Sequence, residues 1–548
     1  MPKHLHPLFG ALLLLQAPAA MAQPSSPENP PPAIAALPDP LRNTIPAVDG
    51  DWLTFNHDQQ RSGWNNGETN LAKDNVAGLT LLWSTQLAVP VVLTTLQTLT
   101  APLVATVDGK VLVYVMGAND TLFAADAATG AIVWQRAFSN TRKAQREATW
   151  LCANAEQATP VIDAKKSVIY FTTSDGNLRA ASLSDGSEKL TPTQFMAPFS
   201  RNWSLNLADD VVYSIAARGC GGDRAHPVEA GNIAAADVSD PSHVTVNRVF
   251  TGAGRPAGPW SRAGVALGPQ GVYVQTADGL DDPASGFYGS SVIAVRPGGR
   301  GIADTFTPPN WRYLNTKDLD LGSGSPVLFP FKGHALLATG AKEGLVYLLD
   351  ANALGGGYTE HSKALYITPR FGNDAVRLDG WGIWGALSTW ENAAGARYVY
   401  LPMWNKQAQD TAASFKFKNG DTSQGSVMAL EVRQDGANFS LVPAWVTGVN
   451  QAPDAPVVAN GVVYAVGTGE QTIQNIEGRH MDLTQGAVFR STPVGHQVLY
   501  ALDAETGKVL YDSKTILKDW NHFSEPVVSH GKVFMVSHDG HLYAFGLK

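Results

Sequence analysis

The sequence predicts an all-β fold: an eight-bladed β-propeller with four-stranded antiparallel blades, closed by pairing an N-terminal strand with C-terminal ones. Three observations predict it. A phrase of apolar residues, Asp and a Thr-Gly turn recurs along the chain, a second recurring phrase begins with x-Pro, and the composition favours turns and aromatic side chains. In 548 residues there are 53 Gly and 34 Pro beside 14 Trp, 15 Tyr and 20 Phe. That balance belongs to many short strands joined by tight loops rather than to long helices.

The first phrase reads Leu122-Phe-Ala-Ala-Asp-Ala-Ala-Thr-Gly130 and returns as Leu499-Tyr-Ala-Leu-Asp-Ala-Glu-Thr-Gly507, as Leu345-Val-Tyr-Leu-Leu-Asp-Ala351 and, shortened, as Leu542-Tyr-Ala-Phe-Gly546. Apolar residues make a strand, Asp opens the turn, and Gly supplies the positive φ that a tight hairpin requires. Trp134 begins the following strand, with Trp83 and Trp445 equivalent in their own units. The second phrase appears at Thr159-Pro-Val-Ile-Asp163, Ser325-Pro-Val-Leu328, Ala455-Pro-Val-Val-Ala-Asn460 and Glu525-Pro-Val-Val528. Pro fits a strand's first residue, where no ladder hydrogen bond is lost. Together the phrases define a four-strand meander of roughly forty-odd residues, the period of a propeller blade. Units between Trp203 and Ala303 and between Gly380 and Trp445 are irregular. The last unit has three strands before Lys548, and residues near Leu79 to Gln86 are expected to supply its fourth, which removes a free sheet edge.

The N-terminus has the pattern of an export signal. Lys3 and nearby histidines precede a mostly apolar run from Leu8 to Ala19, then Ala20-Met21-Ala22 before Gln23. Residues 1–22 are therefore expected to be a signal peptide, residues 23–50 a Pro-rich linker or strap, and residues 51–548 the propeller. The expected location is periplasmic or secreted. No later apolar stretch is long enough to cross a bilayer. A formal charge of -8 with 16% charged residues offers no basic stripe, which argues against a nucleic-acid partner. In an oxidising compartment the two cysteines, Cys152 and Cys220, form one disulfide by default, although spacing alone does not establish that they meet. The chain has no Cys-x-x-Cys-His for covalent haem, and no Gly-x-Ser-x-Gly or His-Glu-x-x-His motif to support a hydrolase.

The Ala-x-Asp-x-x-Thr-Gly-x-x-x-Trp phrase from Ala124 to Trp134 resembles the pyrroloquinoline quinone (PQQ) enzyme repeat. The order of features from about Asp51 to Lys548 is similar to that of quinoprotein alcohol dehydrogenases. The resemblance implies a role for several residues. Trp260 matches the family's floor beneath the quinone, and Asp278, after the strand-like Gly271-Val-Tyr-Val-Gln-Thr-Ala277, matches a metal ligand. Asp318 or Asp320, in Lys317-Asp-Leu-Asp-Leu321, matches the catalytic base, with Asp318 also a candidate ligand. Lys342, in Gly340-Ala-Lys-Glu-Gly344, matches the cation beside the quinone oxygens. A further ligand is expected from Asp223 or Glu229, after Cys220. Cys152 matches the first of an adjacent cysteine pair at the cofactor. The implied cofactors are PQQ and calcium or a lanthanide, and the implied partners are an alcohol or hydroxyl substrate and a separate cytochrome acceptor.

The residue types suit that chemistry. A hard cation held by carboxylates polarises a quinone oxygen, an Asp beside the substrate takes the hydroxyl proton, and a Trp face fixes the ring plane. The loop from Asp278 to Gly289 is expected to shape the entrance. Replacing both Asp318 and Asp320 by Ala is expected to abolish turnover with little change in stability. The sequence also departs from the family. Ala153 stands where the second cysteine belongs, and Asn154 to Thr159 contains Glu156 but no basic residue where the family grips a quinone carboxylate. Arg201 or Arg262 is available as a substitute. These departures keep a second function in play, a non-catalytic propeller that binds protein, glycan or polymer.

Overall fold

The computed structural model describes residues 49–91, 96–144, 147–149, 152–218, 220, 229–252, 257–357, 361–372, 382–404, 415–473, 475–476 and 479–548. The expected signal peptide and nearly all of the expected linker lie outside them. Eight sheets, each with a four-stranded antiparallel core, follow one another along the chain. The first is built from Leu103–Val107, Lys110–Gly117, Thr121–Asp126 and Ile132–Ala137. Innermost strands such as Val161–Asp163, Val327–Phe331, Val457–Ala459 and Val527–Ser529 each begin directly after the Pro of the second phrase. Among the described residues no helix is long and apolar enough to cross a membrane.

The repeated phrase works by joining blades. Asp126 Oδ1 accepts the backbone N–H groups of Ala128 and Thr129 and the Thr129 hydroxyl at 3.0, 2.9 and 3.0 Å, which fixes the turn. Asp503 does the same for Glu505 and Thr506. The turn glycine then receives the tryptophan of the preceding blade. Gly130, Gly186 and Gly507 have φ of 74°, 68° and 68°, and a Cβ at each would collide with the rings of Trp83, Trp134 and Trp445 respectively. Each indole N–H also donates across the interface, to the carbonyls of Ala127, Leu183 and Ala504 at 3.3, 3.0 and 2.9 Å. Gly507→Ala is therefore expected to cost about 2 kcal/mol, from the strained φ and the displaced indole together, measured as a lower urea midpoint.

Ring closure follows the expected strand exchange. Thr80–Gln86 pairs antiparallel with His541–Gly546, in register from Thr80 opposite Gly546 to Gln86 opposite His541. The chain before this strand does something that the repeats do not announce. Residues 52 to 65 touch the innermost strand of every blade, or the residues flanking it, in chain order. Trp52 exchanges backbone hydrogen bonds with Val104, and Leu53 O accepts from Ile162. Thr54 Oγ1 donates to Leu205 O. Gln59, Gln60, Ser62 and Gly63 carbonyls accept from Leu267, Leu328, Thr389 and Val458, and Asn65 Nδ2 donates to Val528 O. Trp52, Phe55 and Arg61 are almost fully buried, so this segment is a hub on which all eight blades are hung.

Candidate functional site

Loops that follow the second strand of successive blades share one rim. Asp278 lies just beyond Gly271–Gln275, the second strand of the fourth blade, and Lys342 just beyond His334–Gly340, the second strand of the fifth. Between these blades a short helix, Trp311–Lys317, ends at Asp318, whose φ of 54° turns the chain back. Asp tolerates this left-handed conformation better than most residues. Leu319 and Leu321 are buried and pin the loop, which holds Asp320 inward. The bare backbone of Gly322 lies against the Trp260 indole, where a Cβ would not fit.

The side chains so placed form one cluster. Lys342 Nζ lies 2.7 Å from Asp320 Oδ2 and 3.3 Å from Asp318 Oδ1, and donates to the Asp318 carbonyl at 3.0 Å. The Asp278 backbone N–H donates to Asp320 Oδ1 at 3.2 Å. Oxygens from Asp278, Asp318 and Asp320 all lie within 4.8 Å of one another, and Asp278 Oδ1 is buried without a hydrogen-bond partner. Lys342 Nζ also sits 5.6 Å from the Trp260 ring and 5.0 Å from that of Trp384. Those two rings meet edge to face at 5.4 Å, and Trp384 stacks on Trp404 at 4.7 Å.

The electrostatics divide the acids. Burial, then the charges of Asp320 and Asp318, push the Asp278 carboxyl far above the ordinary range. Burial opposes ionisation of Asp320 too, but Lys342 and hydrogen bonds from Asp278 outweigh it and hold Asp320 below its usual value. Burial likewise opposes the charge on Lys342, and Asp318 and Asp320 overcome it, so the ammonium persists. A buried carboxyl forced to keep its proton beside two ionised ones, with an oxygen left unpaired, is the electrostatic state of a site short of positive charge.

Trp260, Asp278, Asp318, Asp320 and Lys342, read from separate stretches of sequence, thus meet at one place. Other candidates have different partners. Cys152 is bonded to Cys220, with Cα atoms 5.6 Å apart, which ties the approach to the second blade to a loop of the third. Glu229 pairs with Arg248 at 3.3 Å instead of with the acid cluster. Asp223 lies outside the described residues. Arg201 packs over Trp203 at 4.9 Å. The loop after Asp278 carries a small hairpin, Asp281–Asp282 with Phe287–Tyr288. Arg262, the other available substitute, lies against Trp404 and Phe523, while sequence reasoning missed Trp384 and Trp404, along with Glu470 and His522 nearby. No local motif marks them; only the succession of rim loops could have suggested them.

Glu156 carries less negative charge at neutral pH than an ordinary carboxylate would. It is buried, its Oε1 accepts the backbone N–H groups of Gln157 and Ala158, and burial pushes its carboxyl up to about 7. Between the ordinary carboxyl range near 4.5 and about 7, the folded protein keeps a proton that the unfolded chain has released. Stability should accordingly decline as pH rises through this window, by on the order of 3 kcal/mol in total. Denaturation at several pH values should show Glu156→Gln to be less sensitive over the same range.

Comparison with known proteins agrees with this fold. Residues 72–241 match the PQQ_2 family, described as outer membrane protein assembly factor BamB. No curated protein matches the sequence. Among solved structures, the quinohemoprotein alcohol dehydrogenase of Comamonas testosteroni aligns at a TM-score of 0.58 and 16% identity, over 91% of this chain and 81% of that one. A europium-containing methanol dehydrogenase aligns at a TM-score of 0.57 and 14% identity, over 91% of this chain and 98% of that one. The chain is an eight-bladed β-propeller in which residues 72–241 match the PQQ_2 family, and its fold is similar to those of a quinohemoprotein alcohol dehydrogenase and a methanol dehydrogenase along nine-tenths of its length.

Proposed function

We propose that the protein is a periplasmic or secreted quinoprotein-type dehydrogenase that oxidises an alcohol or other hydroxyl substrate with PQQ and a metal ion, passing electrons to an external acceptor. The observation that carries this reading is the convergence of three carboxylates and one buried lysine beside Trp260. The donor set fits. Hard carboxylate oxygens suit calcium or a lanthanide, and the unpartnered Asp278 Oδ1 is the atom that such a cation would satisfy. Trp260 would support the quinone and Lys342 would face its oxygens. Once bound, the quinone supplies a hydride acceptor and the cation polarises it.

The chain's own acids then take different tasks. Asp320 is buried and held by Lys342, so it anchors the ammonium. The Asp318 side chain is 31% exposed and can meet a substrate hydroxyl, which makes it the better proton acceptor. This division revises the expectation for the double replacement: removing Asp320 strips the buried Lys342 of its closest partner, so stability should fall as well as turnover.

The test is reconstitution of the purified protein with PQQ and calcium or a lanthanide, followed by bound-quinone absorbance and alcohol-dependent dye reduction. Wild type should reduce dye. Asp318→Asn should retain the quinone spectrum while turnover falls at least about a hundredfold. Absence of quinone binding and dye reduction with every metal would leave the non-catalytic propeller as the reading.

A further inference from the structure

A second group of charged side chains lies close to the first and is not explained by it. Arg262 is 2% exposed, and its Nε, Nη1 and Nη2 all lack a hydrogen-bond partner among the described residues. Aromatic rings surround the guanidinium: it packs on Phe523 and lies 5.3 Å from the ring of Trp404 and 5.6 Å from that of Trp384. A buried guanidinium is ordinarily bonded at several nitrogens, because leaving them bare costs more than a hydrogen bond returns. Asp454 and Glu470 compensate its charge only through space. Glu470 spends its oxygens elsewhere, one accepting from Arg490 and the other 2.7 Å from His522 Nδ1.

His522 completes the pattern. It is 3% exposed and its ring stacks on Phe523, the same ring that Arg262 covers. At 2.7 Å from a carboxylate oxygen, Nδ1 must carry the proton, since a lone pair there would repel Glu470. Nε2 is then a bare acceptor, buried and without a partner. Burial keeps the imidazole neutral, with its pKa lowered to about 3, so Nε2 remains an acceptor at neutral pH. A cation with unused donors and an acceptor with an unused lone pair share one aromatic wall. Trp384, in turn, has Lys342 on it as well as Arg262.

We infer that Arg262 and the Glu470-oriented His522 form a receptor for a carboxylate that carries a hydrogen-bond donor on the adjacent atom. The carboxylate engages the guanidinium and the neighbouring N–H or O–H donates to Nε2. Two sources have this chemistry: the pyrrole-carboxylate edge of PQQ, and the carboxylate end of a 2-hydroxy acid substrate. Only the first source rests on the dehydrogenase reading; the receptor does not.

Tryptophan fluorescence and calorimetric titrations would use PQQ, pyrrole-2-carboxylate, glycolate and the methyl esters of the last two, on full-length wild type, Arg262→Gln, Arg262→Lys and His522→Asn. Wild type should bind at least one free acid and prefer it to its ester. Arg262→Gln should weaken that acid at least about tenfold, with Arg262→Lys retaining part of the affinity. His522→Asn should weaken each acid that wild type binds, because each donates its adjacent N–H or O–H to Nε2. Melting without ligand separates folding from binding: Arg262→Gln takes a compensating charge from buried Asp454 and Glu470, so affinities are compared at a temperature where the melting curve of each variant shows it folded. Binding of pyrrole-2-carboxylate through Arg262 without binding of PQQ would uphold the receptor and defeat the quinone reading. Tight PQQ binding and dye reduction unaffected by Arg262→Gln would do the reverse. If no free acid binds wild type, the receptor is overturned.

Discussion

Lys342→Met should lower stability by about 3–5 kcal/mol in metal-free protein, the usual consequence of removing one member of a buried ion pair. The ammonium pairs with both Asp318 and Asp320, and Asp320 is itself buried. Met fills much of the same volume, so lost packing contributes little and the measured cost reports uncompensated negative charge. A calcium or lanthanide titration distinguishes this from a simple packing defect. A cation held by the three carboxylates replaces the missing charge, so the melting temperature of Lys342→Met should rise more with added metal than that of wild type. Loss of stability that no cation restores would show that the acids do not form a metal-competent cluster, and the proposed dehydrogenase site would fail with them.

Much of the fold was legible because its interfaces are written locally. Asp126, Gly130 and Trp134 sit within one phrase, and each makes its contact through a short turn or the next blade's turn, so repetition of the phrase discloses both strand order and blade docking. Trp83 in the closing strand carries the same information, which is why the ring closure could be anticipated. The hub was illegible for the opposite reason. Residues 52–65 reach eight separate blades through backbone groups and, at Thr54 and Asn65, side chains, and no periodicity in the segment encodes partners hundreds of positions away. The candidate site was legible where each residue follows a recognisable strand or turn, as Asp278 and Lys342 do. Trp384, Glu470 and His522 are drawn from three distant connections, and isolated charges and aromatic residues in irregular loops have no pattern until the loops are brought together; Arg262 was visible only as one of two basic residues available to replace a missing one. Glu156 shows a further limit: sequence supplies an acid, and only burial reveals that its carboxyl is pushed up to about 7.

Arg61→Leu should be at least as disruptive as loss of Lys342, with a cost of about 3–5 kcal/mol, although it lies in no repeat and touches no candidate site residue. Arg61 is fully buried, and burial, countered by Glu525 and Asp58, lowers its pKa only to about 9, so it stays charged at neutral pH. Its donors are distributed around the hub. Nη1 serves Thr54 Oγ1 at 2.7 Å and the Phe55 carbonyl at 2.6 Å, Nη2 serves Leu205 O at 2.9 Å, and Nε serves Val265 O at 2.9 Å. Leu removes every donor and leaves carbonyls from the hub, the third blade and the approach to the fourth without this partner, each in a space closed to water. Arg61→Lys restores one cation but not the fork, and should recover only a minor part of the loss. Urea unfolding of the three proteins would rank them wild type, Lys, then Leu. Because Val265 directly precedes the first strand of the fourth blade, whose second strand leads to Asp278, hydrogen exchange should also quicken in that blade before the seventh. A cost below about 1 kcal/mol, or exchange rising uniformly, would mean that the blades hold together without the hub and that the Trp-to-Gly docking between neighbours suffices.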